Sequence, residues 1–86
     1  MINLVYSSVF LKRLKKLEPS LQDEVLEKIN LFKDRNNHKI LKVHKLHGQF
    51  SNCFSFYVSY DTRIVFEYLS KNEVALLSVG RHDIYK

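Results

Sequence analysis

The sequence predicts a two-layer α+β domain: a short N-terminal strand and a helical hairpin packed on one face of a mainly antiparallel sheet, in the order β-α-α-β-β-β-β. Three observations predict it. Apolar residues recur at helical spacing between residues 10 and 32, the period changes to two from residue 53, and turn signals at Asp61-Thr62 and Ser70-Lys71-Asn72 divide the second half. Two consecutive helices must bury their stripes on one face of such a sheet, which leaves the other face open for function.

Each element has its own signal. Ile2 to Tyr6 is β-branched and aromatic and is cut off by Ser7-Ser8, which reads as a strand followed by a helix N-cap. Phe10, Leu14 and Leu17 then fall at i, i+4 and i+7, so a first helix runs to about Leu17 and stops at Glu18-Pro19. A second helix begins around Pro19-Ser20, with Leu21, Val25, Ile29 and Phe32 on one stripe and Asp23, Glu24, Glu27 and Lys28 on the other. The uniformly polar run Asp34 to Lys39 ends the hairpin. Leu41 to Leu46 forms the second strand. In the third, Phe54, Phe56, Val58 and Tyr60 form a core row that alternates with Cys53, Ser55, Tyr57 and Ser59. Arg63 to Leu69 and Glu73 to Val79 supply the last two strands, the final one stopping at Gly80.

Length and composition bound the rest. Eighty-six residues, 45% of them hydrophobic, make one domain spanning 1–86 that folds without disulfides or metal. The single Cys53 has no partner in the chain and reads as a small apolar residue in a reducing cytoplasm. No targeting segment is visible and no window approaches the roughly 18–20 apolar residues of a membrane span, so a soluble cytoplasmic protein is expected. With only two glycines there is no phosphate-binding glycine loop, and the histidines and carboxylates form no HxxxH or HExxH set; no metal and no cofactor is expected.

Fourteen Lys and Arg against nine Asp and Glu give a formal charge of +5, which favours polyanionic partners. Lys12, Arg13, Lys15 and Lys16 lie at helical spacing and read as a solvated helix face. Lys39, Lys42, His44, Lys45 and His47 lie at a strand entrance and are the better candidates for binding nucleic acid. The densest chemistry follows the aliphatic run Val74 to Val79, where Arg81, His82, Asp83 and Tyr85 combine a guanidinium, an imidazole, a carboxylate and a phenol at the mouth of the sheet.

Three segments in this order resemble the RelE/ParE superfamily, the toxins of bacterial type II toxin-antitoxin pairs: Lys45-Leu46-His47-Gly48, Tyr60-Asp61-Thr62-Arg63-Ile64-Val65-Phe66, and Val79-Gly80-Arg81-His82-Asp83-Ile84-Tyr85. The resemblance covers nearly the whole chain. It implies a metal-independent endoribonuclease that enters the ribosomal A site and cuts mRNA, held inactive by an acidic cognate antitoxin. It also implies a phosphate role for Arg63 and reaction-centre roles for His82 or Arg81 and for Tyr85. Two departures stand out: Ser55 and Tyr57 occupy third-strand positions where some relatives carry lysines, and the segment from Gly80 to Tyr85 is a residue shorter than in many. Arg81 and His82 therefore compete for one role.

The chemistry agrees with these residue types. Cleaving RNA without metal needs a base for the 2′-hydroxyl, charge compensation at the phosphate and an acid for the leaving 5′-oxygen. Histidine suits the proton steps and arginine the phosphate, so Arg63, Arg81, His82 and His47 are the catalytic candidates. Glu67 shares a strand face with Arg63, and the plain alternative for Arg63 is a surface ion pair with it. Tyr85 could stack on a base, and Tyr57 is a second stacking candidate beside the RNA-binding Lys42 and Lys45. His38 and His44 read as surface residues. Two other readings stay open: a ParE-like inhibitor of DNA gyrase, which has no need of the catalytic set, and a degenerate toxin acting mainly as the antitoxin's partner.

Overall fold

Two helices cover one face of a five-stranded sheet in the computed structural model, which describes residues 1–48 and 52–81. The elements are β1 (Asn3–Tyr6), α1 (Ser8–Lys15), α2 (Pro19–Phe32), a 3-10 turn (Arg35–Asn37), β2 (His44–Lys45), β3 (Phe54–Tyr57), β4 (Thr62–Ser70) and β5 (Glu73–Arg81). The sheet order is β1-β5-β4-β3-β2, with β1 parallel to β5 and every other pairing antiparallel. This is the α+β architecture that the periodicities predict.

The helices form where the signals place them. Ser7 is the N-cap of α1: its hydroxyl oxygen accepts from the Phe10 N–H at 3.0 Å, a bond worth about 1 kcal/mol to a helix. The same hydroxyl donates to the Leu77 carbonyl at 2.9 Å, which fastens the start of α1 to β5. Leu77 is the extra residue of a bulge, since Val65 pairs with Ser78 and Phe66 with Leu76, and a bulged residue lacks its ladder partner. Gln22 closes the helical hairpin by donating to the Leu17 carbonyl at 2.8 Å. Pro19 stands at the start of α2, where its missing N–H is of no consequence.

The α2 stripe enters the core as expected, with Val25, Ile29 and Phe32 buried. Phe32 is its centre. Its ring stacks on Phe56 and on His38, each at 4.5 Å between centroids, and meets Phe66 edge-on at 4.8 Å. His38 is therefore no surface residue: half-buried, it donates from Nε2 to the Phe32 carbonyl at 2.7 Å and caps the end of α2.

Several strand boundaries differ from the expectation. Leu41 to Leu46 contributes only His44–Lys45 to the sheet, because Lys42 adopts a left-handed backbone (φ 56°) that breaks the extended run, while Leu41 enters the core before the ladder begins and Leu46 is buried just beyond it. β3 ends at Tyr57, since the hairpin turn begins at Val58, whose N–H donates to the Thr62 carbonyl at 3.0 Å. Tyr60, expected in the core row, is 89% exposed on that turn. Thr62, expected in the turn, is a buried strand residue. Finally, β5 passes through Gly80 to Arg81, because Gly80 pairs with Arg63 and Arg81 with Thr62.

Candidate functional site

Strand alternation sorts the sheet residues onto two faces. Phe56, Ile64, Phe66, Val74 and Leu76 join the core beneath the helices. On the helix-free face the register aligns two adjacent rows: His44, Ser55, Val65 and Ser78, then Tyr57, Arg63 and Gly80. Gly80 and the small Ser78 are the β5 members of these rows, with Gly80 directly opposite Arg63.

Arg63 is the centre of the second row. From Nη1 it donates to the carbonyls of Ser59 at 2.9 Å, Thr62 at 3.1 Å and Tyr60 at 3.3 Å, and its guanidinium carbon lies 4.4 Å from the centroid of the Tyr57 ring. Glu67 is not its partner: among the described residues the ion pair of this region joins Arg81 to Asp61 at 3.5 Å. One nitrogen thus holds the hairpin while the guanidinium lies over an aromatic ring, so among the described residues Nε and Nη2 keep donors for an anion. Lys42 brings a second cation, its Nζ 5.5 Å from the same ring. The third-strand Tyr57 is the platform on which both cations rest.

His44 joins this face, which the sequence does not announce. Its Nδ1 lies 2.8 Å from the Lys42 carbonyl and its Nε2 lies 3.2 Å from the Ser55 hydroxyl, itself fully buried in what was expected to be an outward polar row. A carbonyl has no proton to give, so Nδ1 carries the hydrogen and, in the neutral ring, Nε2 is the acceptor. That is the orientation a general base requires.

The other expected site residues are dispersed. His47 is exposed beyond β2, three residues further from the Tyr57 end of the sheet than His44, or roughly 10 Å of extended chain. Lys45 pairs with Phe54 and so belongs to the other face, where it lines a groove with Asn52, Phe54 and Tyr68. Arg81 pairs with Thr62, which by alternation puts it on the face opposite Arg63. His82 and Tyr85 lie outside the described residues. Cys53 is half-buried, and burial first and the Glu67 carboxylate second push its thiol above the ordinary value. Among the described residues no three His, Cys, Asp or Glu side chains gather as a metal set, and no helix is long and apolar enough to cross a membrane.

No family model and no curated protein matches the sequence. Solved structures do match the fold. The chain is similar to a chain of the RelBE2 toxin-antitoxin complex of Mycobacterium tuberculosis, with 17% identity, a TM-score of 0.77, and coverage of 93% of this chain and 96% of that one. It is similar to YafQ of E. coli, with 17% identity and a TM-score of 0.73 over 94% of this chain and 93% of the other. It is likewise similar to a chain of the YoeB-YefM complex of Staphylococcus aureus, with 16% identity and a TM-score of 0.73 over 95% and 98%. The fold is that of the RelE-like toxins.

Proposed function

We propose that this chain is the toxin of a type II toxin-antitoxin pair and acts as a metal-independent endoribonuclease on mRNA at the ribosome. The observation that carries the reading is the cluster on the helix-free face: Arg63 and Lys42 over the Tyr57 ring, beside a histidine whose Nδ1 is already engaged. Solved complexes of similar fold pair a toxin with an antitoxin, which supports an acidic protein partner for a chain of charge +5.

In the proposed reaction Arg63 and Lys42 grip the scissile phosphate. Nε2 of neutral His44 takes the proton of the 2′-hydroxyl after that hydroxyl displaces Ser55 from its 3.2 Å contact. The 2′-oxygen attacks phosphorus, the bond to the 5′-oxygen breaks, and the products are a 2′,3′-cyclic phosphate and a 5′-hydroxyl. The leaving oxygen needs a proton, for which His82 and Tyr85 are the candidates by sequence. Of the two histidines after the polar loop, His44 is oriented for the base role and His47 is not. Arg81 is paired with Asp61 on the other face, which favours His82 for the contested position.

The test is induced expression without a partner, followed by mapping of transcript 5′ ends. Growth arrest with new 5′ ends inside reading frames is expected, and both should vanish in His44→Gln and return to background when an acidic neighbouring gene product is co-expressed. Arrest with intact messages and inhibited supercoiling would replace the nuclease by the gyrase reading. Normal growth at verified soluble expression would remove both toxin readings.

A further inference from the structure

Lys42 combines two features that charge alone does not explain. It is the one non-glycine residue with positive φ among the described residues, and a left-handed backbone with a Cβ costs about 1–2 kcal/mol. A glycine would adopt that φ without strain. Its surroundings hold it there. Leu41 is buried and its carbonyl accepts from the Tyr57 N–H at 2.8 Å, the Lys42 N–H donates to Lys39 at 3.1 Å, and the Val43 N–H donates to His38 at 3.1 Å. Pinned on both sides, the chain reverses at Lys42, and the reversal brings its carbonyl to Nδ1 of His44 and its ammonium to the Tyr57 ring.

We infer that Lys42 is a positioning residue whose backbone carbonyl, presented by the left-handed turn, fixes the His44 tautomer, while its ammonium separately contributes a cation for a single-stranded RNA phosphate. The inference rests on the nuclease reading for its purpose but not for its measurement. The carbonyl keeps the proton on Nδ1 and leaves the Nε2 lone pair toward the helix-free face. Without it the neutral ring is free to place its proton on Nε2, where it would oppose proton abstraction. Local strain retained beside reactive groups is a recognised mark of function.

The two roles separate by substitution. In the uniformly 15N-labelled full chain, long-range 1H–15N spectra of the free protein, with the His44 signals assigned by their loss in His44→Gln, should show a protonated Nδ1 and an unprotonated Nε2 in the neutral ring. Lys42→Gly keeps the turn and should keep that pattern. Its affinity for a short uncleavable oligoribonucleotide should fall about threefold to tenfold, with a salt dependence shallower by about one phosphate contact. Lys42→Pro fixes φ near −65° and should lose the pattern. Ser55→Ala, which leaves the carbonyl in place, should retain it and decides the matter if the proline variant does not fold. An Nε2–H tautomer in the wild type, its appearance in Ser55→Ala, or an unchanged pattern in folded Lys42→Pro would each overturn the inference. Unchanged RNA affinity and salt slope in Lys42→Gly would overturn the ammonium's part. Because the spectra are recorded without RNA, a protein that cuts nothing would still confirm or refute the tautomer.

Discussion

Arg63 joins an architectural role to the proposed phosphate chemistry in one guanidinium. Its three bonds, to the carbonyls of Ser59 and Tyr60 in the β3–β4 turn and of Thr62 at the start of β4, make it more than a surface cation, so Arg63→Ala should lower stability by about 1–2 kcal/mol in urea titration as well as abolish the proposed RNA cleavage. Arg63→Lys keeps the charge but loses the planar fork, and it should recover part of RNA binding with little cleavage. An Arg63→Ala variant that cuts RNA as the wild type does would end the phosphate role. Cys53 gives a pH test. Its thiol is raised by burial and by Glu67, so this contribution to stability is complete below 9.0, the ordinary thiol value, and is lost as pH rises from there through the higher folded value. Alkylation of Cys53 at fixed pH should accordingly be slow and should quicken in Glu67→Gln. Residue type and the order of motifs put Arg63, Lys42 and Tyr57 among the candidates, and the structure brings the three together. The sequence hid His44, whose orientation depends on a backbone carbonyl two residues back and a hydroxyl eleven residues on, relations that no periodicity encodes. Arg81 and Lys45 were legible as cations but not as members of the other face, since a strand's exact register decides that.

The elements differ in how openly the chain declares them. Both helices were readable because caps and stripes are local: Ser7, Pro19 and the run Leu21, Val25, Ile29, Phe32 require nothing from the rest of the molecule. β2 was not, because Leu41 satisfies its hydrophobicity by entering the core from the preceding turn and Leu46 is buried just past the strand, which leaves only two residues in the ladder. β5 was read one turn of the pleat short, since glycine ordinarily marks the end of a strand and here pairs with Arg63. Packing between elements sets two further expectations. Phe32→Ala removes the ring shared by α2, β3, β4 and His38 and should cost about 3–5 kcal/mol, read from the urea midpoint at constant m. Ser7→Ala removes both the cap and the partner of the Leu77 carbonyl, and a loss of about 2 kcal/mol is expected by the same measurement.

At the scale of the whole molecule the charge of +5 and the helix-free face call for a polyanion or an acidic protein. Association with an acidic partner should slow as salt rises from low to physiological, while dissociation, governed by apolar burial, changes little; stopped-flow kinetics at several ionic strengths would show it. The sheet order has a consequence in time. β1 lies along β5, although the other described elements come between them in the sequence, with Asn3 opposite Glu73 and Tyr6 opposite Leu76. The start of α1 is bound to the same strand through Ser7, and Gly80 comes to lie beside Arg63 only when β5 joins β4. A nascent chain ending before residue 73 therefore lacks the strand that unites its N-terminal half with its hairpin, and ribosome-arrested chains of that length should be as protease-sensitive as unfolded ones. The face proposed to hold an RNA phosphate is thus complete only once β5 has docked between β1 and β4, so RNA binding and the protected fold should appear together or not at all.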